Sequence, residues 1–88
     1  MTQSFVEKTP DEKAQIAIRT AMDSVNLVNQ LVTAGEHTEQ IDKRVETNYK
    51  HLEIVIAREN VISYVSNNSV DISALNSAIA TGKTFLGQ

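Results

Sequence analysis

The stretch from Thr9 to Gly35, TPDEKAQIAIRTAMDSVNLVNQLVTAG, decides the fold of this chain. Threonine at position 9 is a good helix N-cap, and Pro10 suits the first helical turn, where its missing N–H costs nothing. Glu12 stands three residues after Thr9, which is the spacing of a capping box. Gly35 is a natural residue to follow a helix C-terminus. The stretch therefore predicts a helix that begins after Thr9 and ends near Ala34.

Apolar residues along this stretch repeat at alternating steps of four and three, which draws one stripe along a helix. The stripe consists of Ala14, Ile18, Ala21, Val25, Val28 and Val32. Ile16, Met22 and Leu27 lie away from its centre. Since a surface helix needs only one apolar face, the additional apolar residues predict that this helix is covered on two sides.

A second helix is predicted to begin near Glu39, with Thr38 as its cap. The short link between the two helices indicates an antiparallel helical hairpin. The second stripe again steps by four and three, through Ile41, Val45, Asn48, Leu52, Val55, Glu59 and Ile62. Its polar members, Asn48 and Glu59, could set a coiled-coil register. The interpretation we favour is that they lie at the edge of a globular core.

The pattern changes after Leu52. Ile54, Val61 and Val65 form another stripe on nearly the opposite side of the helix. The β-branched residues of 61–65 would also suit a short strand. A lone strand would have nothing to pair with, so we predict a helix that continues and then frays.

From residue 60 to residue 82 the only charged side chain is Asp71. Solvated helices usually carry charges, so we expect this segment to be covered by the first helix or by another subunit. Large apolar patches left open usually mark interfaces. The predicted contact residues are those that the hairpin stripe leaves uncovered: Ile54, Val61, Tyr64 and Val65.

A short third helix follows turn-forming residues at 66–69. Asp71 is its expected cap and Gly82 its expected end, and its inner face holds Ile72, Leu75, Ala78 and Ile79. The predicted fold is all-α: a long antiparallel helical hairpin plus a short third helix, in a small helical bundle. Residues 1–8 are predicted to be a flexible leader, residues 9–82 the helical domain, and residues 83–88 a tail.

Composition argues against several classes of function. The 88-residue chain carries a net charge of −3, without the basic excess that phosphate neutralisation requires, so neither nucleic acid nor anionic lipid is an expected partner. No apolar run approaches the roughly 20 residues that cross a bilayer. The N-terminus does not resemble a signal peptide, and cysteine is absent. These features predict a cytoplasmic protein.

No group of residues predicts catalysis. Residues 81–84 read Thr-Gly-Lys-Thr, as at the end of a phosphate-binding loop, but position 77 is serine where that loop needs glycine. His37 and His51 stand apart from other ligand residues, whereas zinc needs about four. The abundant acids are best explained as a solvated face. We therefore predict a non-enzymatic protein with no catalytic, cofactor-binding or metal-binding residues, no cofactor and no small-molecule substrate.

The C-terminal half of the chain resembles small hypothetical proteins of tailed bacteriophages. Such proteins often carry an Asn-x-x-His-Leu-Glu core, an aliphatic-Ala segment, and a short helix that begins with Asp and ends with Gly-Lys. The matching residues are Asn48, His51, Leu52, Glu53, Ile56, Ala57, Asp71, Ile72, Leu75, Ala78, Ile79, Gly82 and Lys83. The resemblance implies a viral origin and brings no established activity. If a phage encodes the chain, the predicted location is the host cytoplasm or the virion.

The predicted function is protein–protein interaction or assembly through helix faces. The expected partners are further copies of the chain, forming a homo-oligomer, or other protein subunits. The resemblance adds the expectation of a phage structural or accessory role. The alternative is a small acidic regulator or inhibitor that binds a host protein, which would show acids clustered on one exposed face.

Overall fold

The computed structural model describes residues 8–88, which form four helices and no strand. The helices are α1 (Pro10–Ala34), α2 (Glu39–Ala57), α3 (Glu59–Asn68) and α4 (Ser73–Phe85). The predicted all-α class is confirmed, and residues 61–65 are helical. The number of helices differs from the prediction, because the second predicted helix is divided in two. The predicted leader, apart from Lys8, lies outside the described residues.

The two ends of α1 are where the local signals place them. Glu12 N donates to Thr9 Oγ1 at 3.1 Å, and Thr9 N donates to Glu12 Oε1 at 3.3 Å, so both bonds of the capping box are present. Gly35 has φ +75° and its N–H reaches back to the carbonyls of Leu31 and Val32. This left-handed conformation is strained for residues with a Cβ, which explains the glycine.

The α2 helix begins at its predicted cap, with Ile41 N donating to Thr38 Oγ1 at 3.1 Å. The contact between α1 and α2 is the most extensive of the contacts between helices. The start of α1 and the end of α2 meet, since Lys13 and Arg58 line the same cleft, and the two helices therefore run in opposite directions. Asn48, one of the polar stripe residues, is half-buried and donates its side-chain amide to the Arg44 carbonyl at 2.7 Å.

The break between α2 and α3 lies at Arg58, whose backbone is extended (φ −70°, ψ 135°). The break changes which side chains of the following helix face the core. A continuous helix would bring Ile62 to the same side as Val55, but Ile62 is 53% exposed and Val61 is 1% exposed. A straight continuation through residues 59–68 would extend about 15 Å further and pass the start of α1. The bend lets α3 return onto α1, which explains why packing favours it.

The last helix starts and ends later than predicted. The Asp71 carboxylate accepts from Ser73 N at 2.8 Å and so satisfies a free N–H of the first turn, although the residue at the cap position is Ile72. The prediction that Gly82 ends this helix is wrong, because α4 continues to Phe85 and Gly82 is buried within it. A Cβ on Gly82 would lie 3.1 Å from Tyr49 Cβ, so the glycine is explained by close packing against the tyrosine ring.

The core lies where α1, α2 and α4 meet, and α3 adds Val61 to it. Its members are mostly small or branched aliphatic residues. They are Ala14, Ala21, Val25, Val28, Tyr49, Leu52, Val55, Val61, Leu75, Ala78 and Ile79. Among the described residues no buried side-chain N or O atom lacks a hydrogen-bond partner. No helix within residues 8–88 is long and apolar enough to span a membrane.

Candidate functional site

The four side chains predicted as a contact surface do not lie together in the open. Ile54 is 57% exposed, whereas Val61 is buried in the core. Tyr64 and Val65 are half-buried and pack against that core. The expectation that all four are uncovered is wrong for Val61, because the break at Arg58 turns this side of α3 inward.

Polar contacts fasten α3 to α1 and use part of the predicted surface. Gln15 Nε2 donates to Tyr64 Oη at 2.7 Å, and Asn60 Nδ2 donates to the Pro10 carbonyl at 3.3 Å. Part of the weakly charged segment is therefore covered by the chain's own helices, although many of its small polar residues are exposed. This is one of the two explanations that its composition allowed.

The large apolar side chains that are exposed lie on α1, α2 and α3, and Ile54 is the only predicted contact residue among them. Besides Ile54 and Ile62, they include Ile16 at 40% and Met22 at 37% exposure. Ile16 and Met22 are two of the residues that lie off the main stripe of α1. The sequence predicts that α1 is covered on two sides. At Ile16 and Met22, residues 8–88 do not provide the covering on the second side.

Ile16 forms part of a cleft of about 380 Å³ between α1 and α2, which we call the α1–α2 groove. Apolar side chains form much of its lining, and three cationic side chains and one histidine surround them. The lining residues are Lys8, Lys13, Ile16, Ala17, Thr20, His51, Val55 and Arg58.

The groove lies on the side of the α1–α2 pair that α3 and α4 leave free. Gln15 contacts α3 and Glu53 contacts α4. Lys13 and Ala17 each stand two residues from Gln15, and His51 and Val55 each stand two residues from Glu53. Two residues correspond to about 200° around a helix. Lys13 and His51 therefore lie on the flank of the α1–α2 pair away from α3 and α4, whereas Ala17 packs against the core and Val55 belongs to it.

The opposite side of the pair is closed by α4. Lys83 Nζ lies 2.9 Å from Glu53 Oε2 and 5.9 Å from the centre of the Tyr49 ring. The hydrogen bond to the Glu53 carboxylate raises the pKa of the Lys83 amine above its usual range. Tyr49 also donates to the side-chain oxygen of Gln88. Lys83 thus joins α4 to α2, and the surrounding Thr-Gly-Lys-Thr sequence is helical rather than a phosphate-binding loop.

The two histidines have different surroundings. His37 stacks on Phe85 with ring centres 3.9 Å apart, and its Nδ1 lies 3.1 Å from Asp42 Oδ1. His51 lines the groove. Within residues 8–88 no three His, Cys, Asp or Glu side chains are grouped so that they could hold a metal ion.

Sequence reasoning missed the groove, although one signal for it was present. Ile16 stands out as an apolar residue off the main stripe of α1. The cationic residues gave no such signal, because Lys13 and Arg58 meet only through the relative register of α1 and α2. Tyr49 was also missed, although it stands four residues after Val45 and three before Leu52 and so fits a helical core face.

No protein family, no curated protein and no solved structure matches this chain. The resemblance to bacteriophage proteins therefore stays a prediction.

Proposed function

We propose that this chain is a non-enzymatic assembly protein that accepts one helix of another protein subunit in the α1–α2 groove. The observation that carries the proposal is the position of the groove opposite α3 and α4. Within residues 8–88 Ile16 is left 40% exposed at this groove, while Ala17 is partly buried beside it and Val55 is buried beneath it. An amphipathic helix lying in an apolar groove is a common mode of protein recognition.

The thickness of the molecule suits such a partner. Its Cα atoms extend only 16 Å along the shortest axis, and packed helices stand about 8–10 Å apart. That dimension corresponds to about two layers of helices. A helix laid in the groove would add a layer on the open side and cover the off-stripe apolar residue Ile16.

Ile54 extends the apolar surface next to the groove. It stands three residues after His51, which makes the two side chains neighbours on the surface of α2. Covering an aliphatic side chain completely contributes about 1.5–3 kcal/mol. Since Ile16 and Ile54 are already partly covered, we expect each to contribute about 1 kcal/mol when a partner covers it. Ile54 is thus the predicted contact residue that best suits this role.

The test uses a displayed library of helical peptides selected for binding to the purified full-length protein. Two variants of α1 form a matched pair: Ile16→Asp places a charge in the groove, and Met22→Asp places one at a similarly exposed site that does not line it. We expect selected peptides to bind Ile16→Asp at least about tenfold more weakly, because a carboxylate would be desolvated. Binding to Met22→Asp should be unchanged.

Circular dichroism spectra of both variants should match the unmodified protein. Selected peptides that bind the two variants equally well would show that the groove is not the docking surface. Sedimentation velocity of the unmodified protein and of Ile16→Asp identifies the subunit: a complex of copies that the substitution dissociates would make the partner helix one of the chain's own.

A further inference from the structure

The charge around the groove differs from the charge of the chain as a whole. The chain has 11 acidic residues and eight Lys and Arg residues. Three of those eight, Lys8, Lys13 and Arg58, line the groove, and no Asp or Glu of residues 8–88 does so. An apolar cleft with cationic edges therefore lies in a protein that is acidic overall.

These cations do not form the ion pairs seen elsewhere in the described residues. Those pairs join Lys50 to Glu46, Lys83 to Glu53 and His37 to Asp42. Lys8, Lys13 and Arg58 take part in none of them, and all three are exposed. Their charges are therefore directed at the groove and the solvent around it.

The cations are concentrated at one end of the groove. Lys8 and Lys13 belong to the start of α1, and Arg58 follows the last residue of α2. The apolar residues Ile16 and Ala17 follow further along α1. A ligand that satisfies both parts must present aliphatic side chains beside negative groups.

Building on the proposed function, we infer that the groove selects an acidic amphipathic helix of a different protein, with carboxylates next to the Lys8, Lys13 and Arg58 side chains. Complementary charges of this kind select partners and raise association rates. A symmetric dimer formed through this surface would place one cationic groove against another. Like charges then oppose the contact, so a second copy bound groove to groove is disfavoured.

The test examines the charge of peptides selected from the helical library. We expect acidic residues to be enriched and binding to weaken as salt concentration rises. Lys8→Glu combined with Lys13→Glu should weaken an enriched acidic peptide about tenfold, since two attractions become repulsions. Arginine at the same two positions should retain binding.

The control combines Arg19→Glu with Lys43→Glu, which changes the net charge equally at exposed sites outside the groove. Its affinity for the acidic peptide should match that of the unmodified protein. A loss equal to that of the groove variant would show that overall charge governs binding and would overturn the inference.

The outcomes separate this inference from the proposed function. Selected peptides that are neutral or basic, yet lose binding to Ile16→Asp, would overturn the acidic preference while the groove remains the docking surface. Peptides insensitive to Ile16→Asp would overturn both. Phe5→Ser should leave the affinity for the acidic peptide unchanged. Tighter binding of the peptide by that variant would indicate that residues 1–7 occupy the groove, and it would overturn the inference.

Discussion

The register of α3 can be tested by truncating two adjacent residues, Val61 and Ile62. Val61 is buried in the core, and Ile62 is more than half exposed. A helix that ran unbroken through Arg58 would place Ile62 on the side of Val55 instead. Val61→Ala and Ile62→Ala therefore distinguish the bent arrangement from the continuous one.

The expected magnitudes follow from burial. Val61→Ala removes the equivalent of two buried methylene groups, at about 0.8 kcal/mol each, and leaves a small cavity that adds to the loss. Alanine has the higher helix propensity, which offsets about 0.5 kcal/mol of this loss. The free energy of unfolding should therefore fall by about 2 kcal/mol in total. Ile62→Ala removes a side chain already half in water, and with the same offset its net loss is about 0.5 kcal/mol.

The assay is urea unfolding followed by circular dichroism at the helical band. With a denaturant slope of about 1 kcal/mol per molar urea, the midpoint should fall by about 2 M for Val61→Ala and about 0.5 M for Ile62→Ala. Equal slopes for both variants and the unmodified protein are the control for comparable unfolding. If Ile62→Ala proves the more damaging change, α2 and α3 form one continuous helix and the bend at Arg58 is wrong.

Three further predictions concern helix ends and packing. Thr9→Ala should lower the free energy of unfolding by about 1 kcal/mol in urea titrations, because both capping-box bonds depend on this residue; an unchanged midpoint would contradict the cap. Gly82→Leu should cost about 1–3 kcal/mol by displacing Tyr49, whereas Ala80→Leu, at an exposed site on the same helix, should cost little. Hydrogen bonds from Ser73 lower the pKa of the Asp71 carboxyl below its ordinary 3.8, so the stability they contribute is present above that pH and is lost as pH falls through the lowered pKa. The difference in unfolding free energy between the unmodified protein and Asp71→Asn should therefore shrink on acidification, and a constant difference would contradict this role.

The sequence alone determined the features that depend on neighbouring residues. The capping box of α1, its terminal glycine and the Thr38 cap each act over a few positions, so reading along the chain locates them. The main stripe of α1 was also predictable, and its members Ala14, Val25 and Val28 are buried. These local and periodic signals are sufficient to establish the all-α class.

The sequence gives partial information about the candidate site. Ile16 could be singled out as an apolar residue with no place in the main stripe, and Ile54 as one that the second stripe leaves uncovered. Their position beside a cationic groove could not be predicted. Lys13 and Arg58 are far apart in the chain, and only the packing of α1 against α2 brings them together.

Tertiary structure alone decided the bend at Arg58 and the interior position of Gly82. Neither glycine nor proline occurs near the bend, so no local signal ends α2 there. The bend returns α3 to α1, while Gly82 continues a helix because its missing side chain makes room for Tyr49. In both cases contacts between residues distant in sequence outweigh the local preference of the backbone, since burial of apolar surface contributes more than the propensity of a single residue.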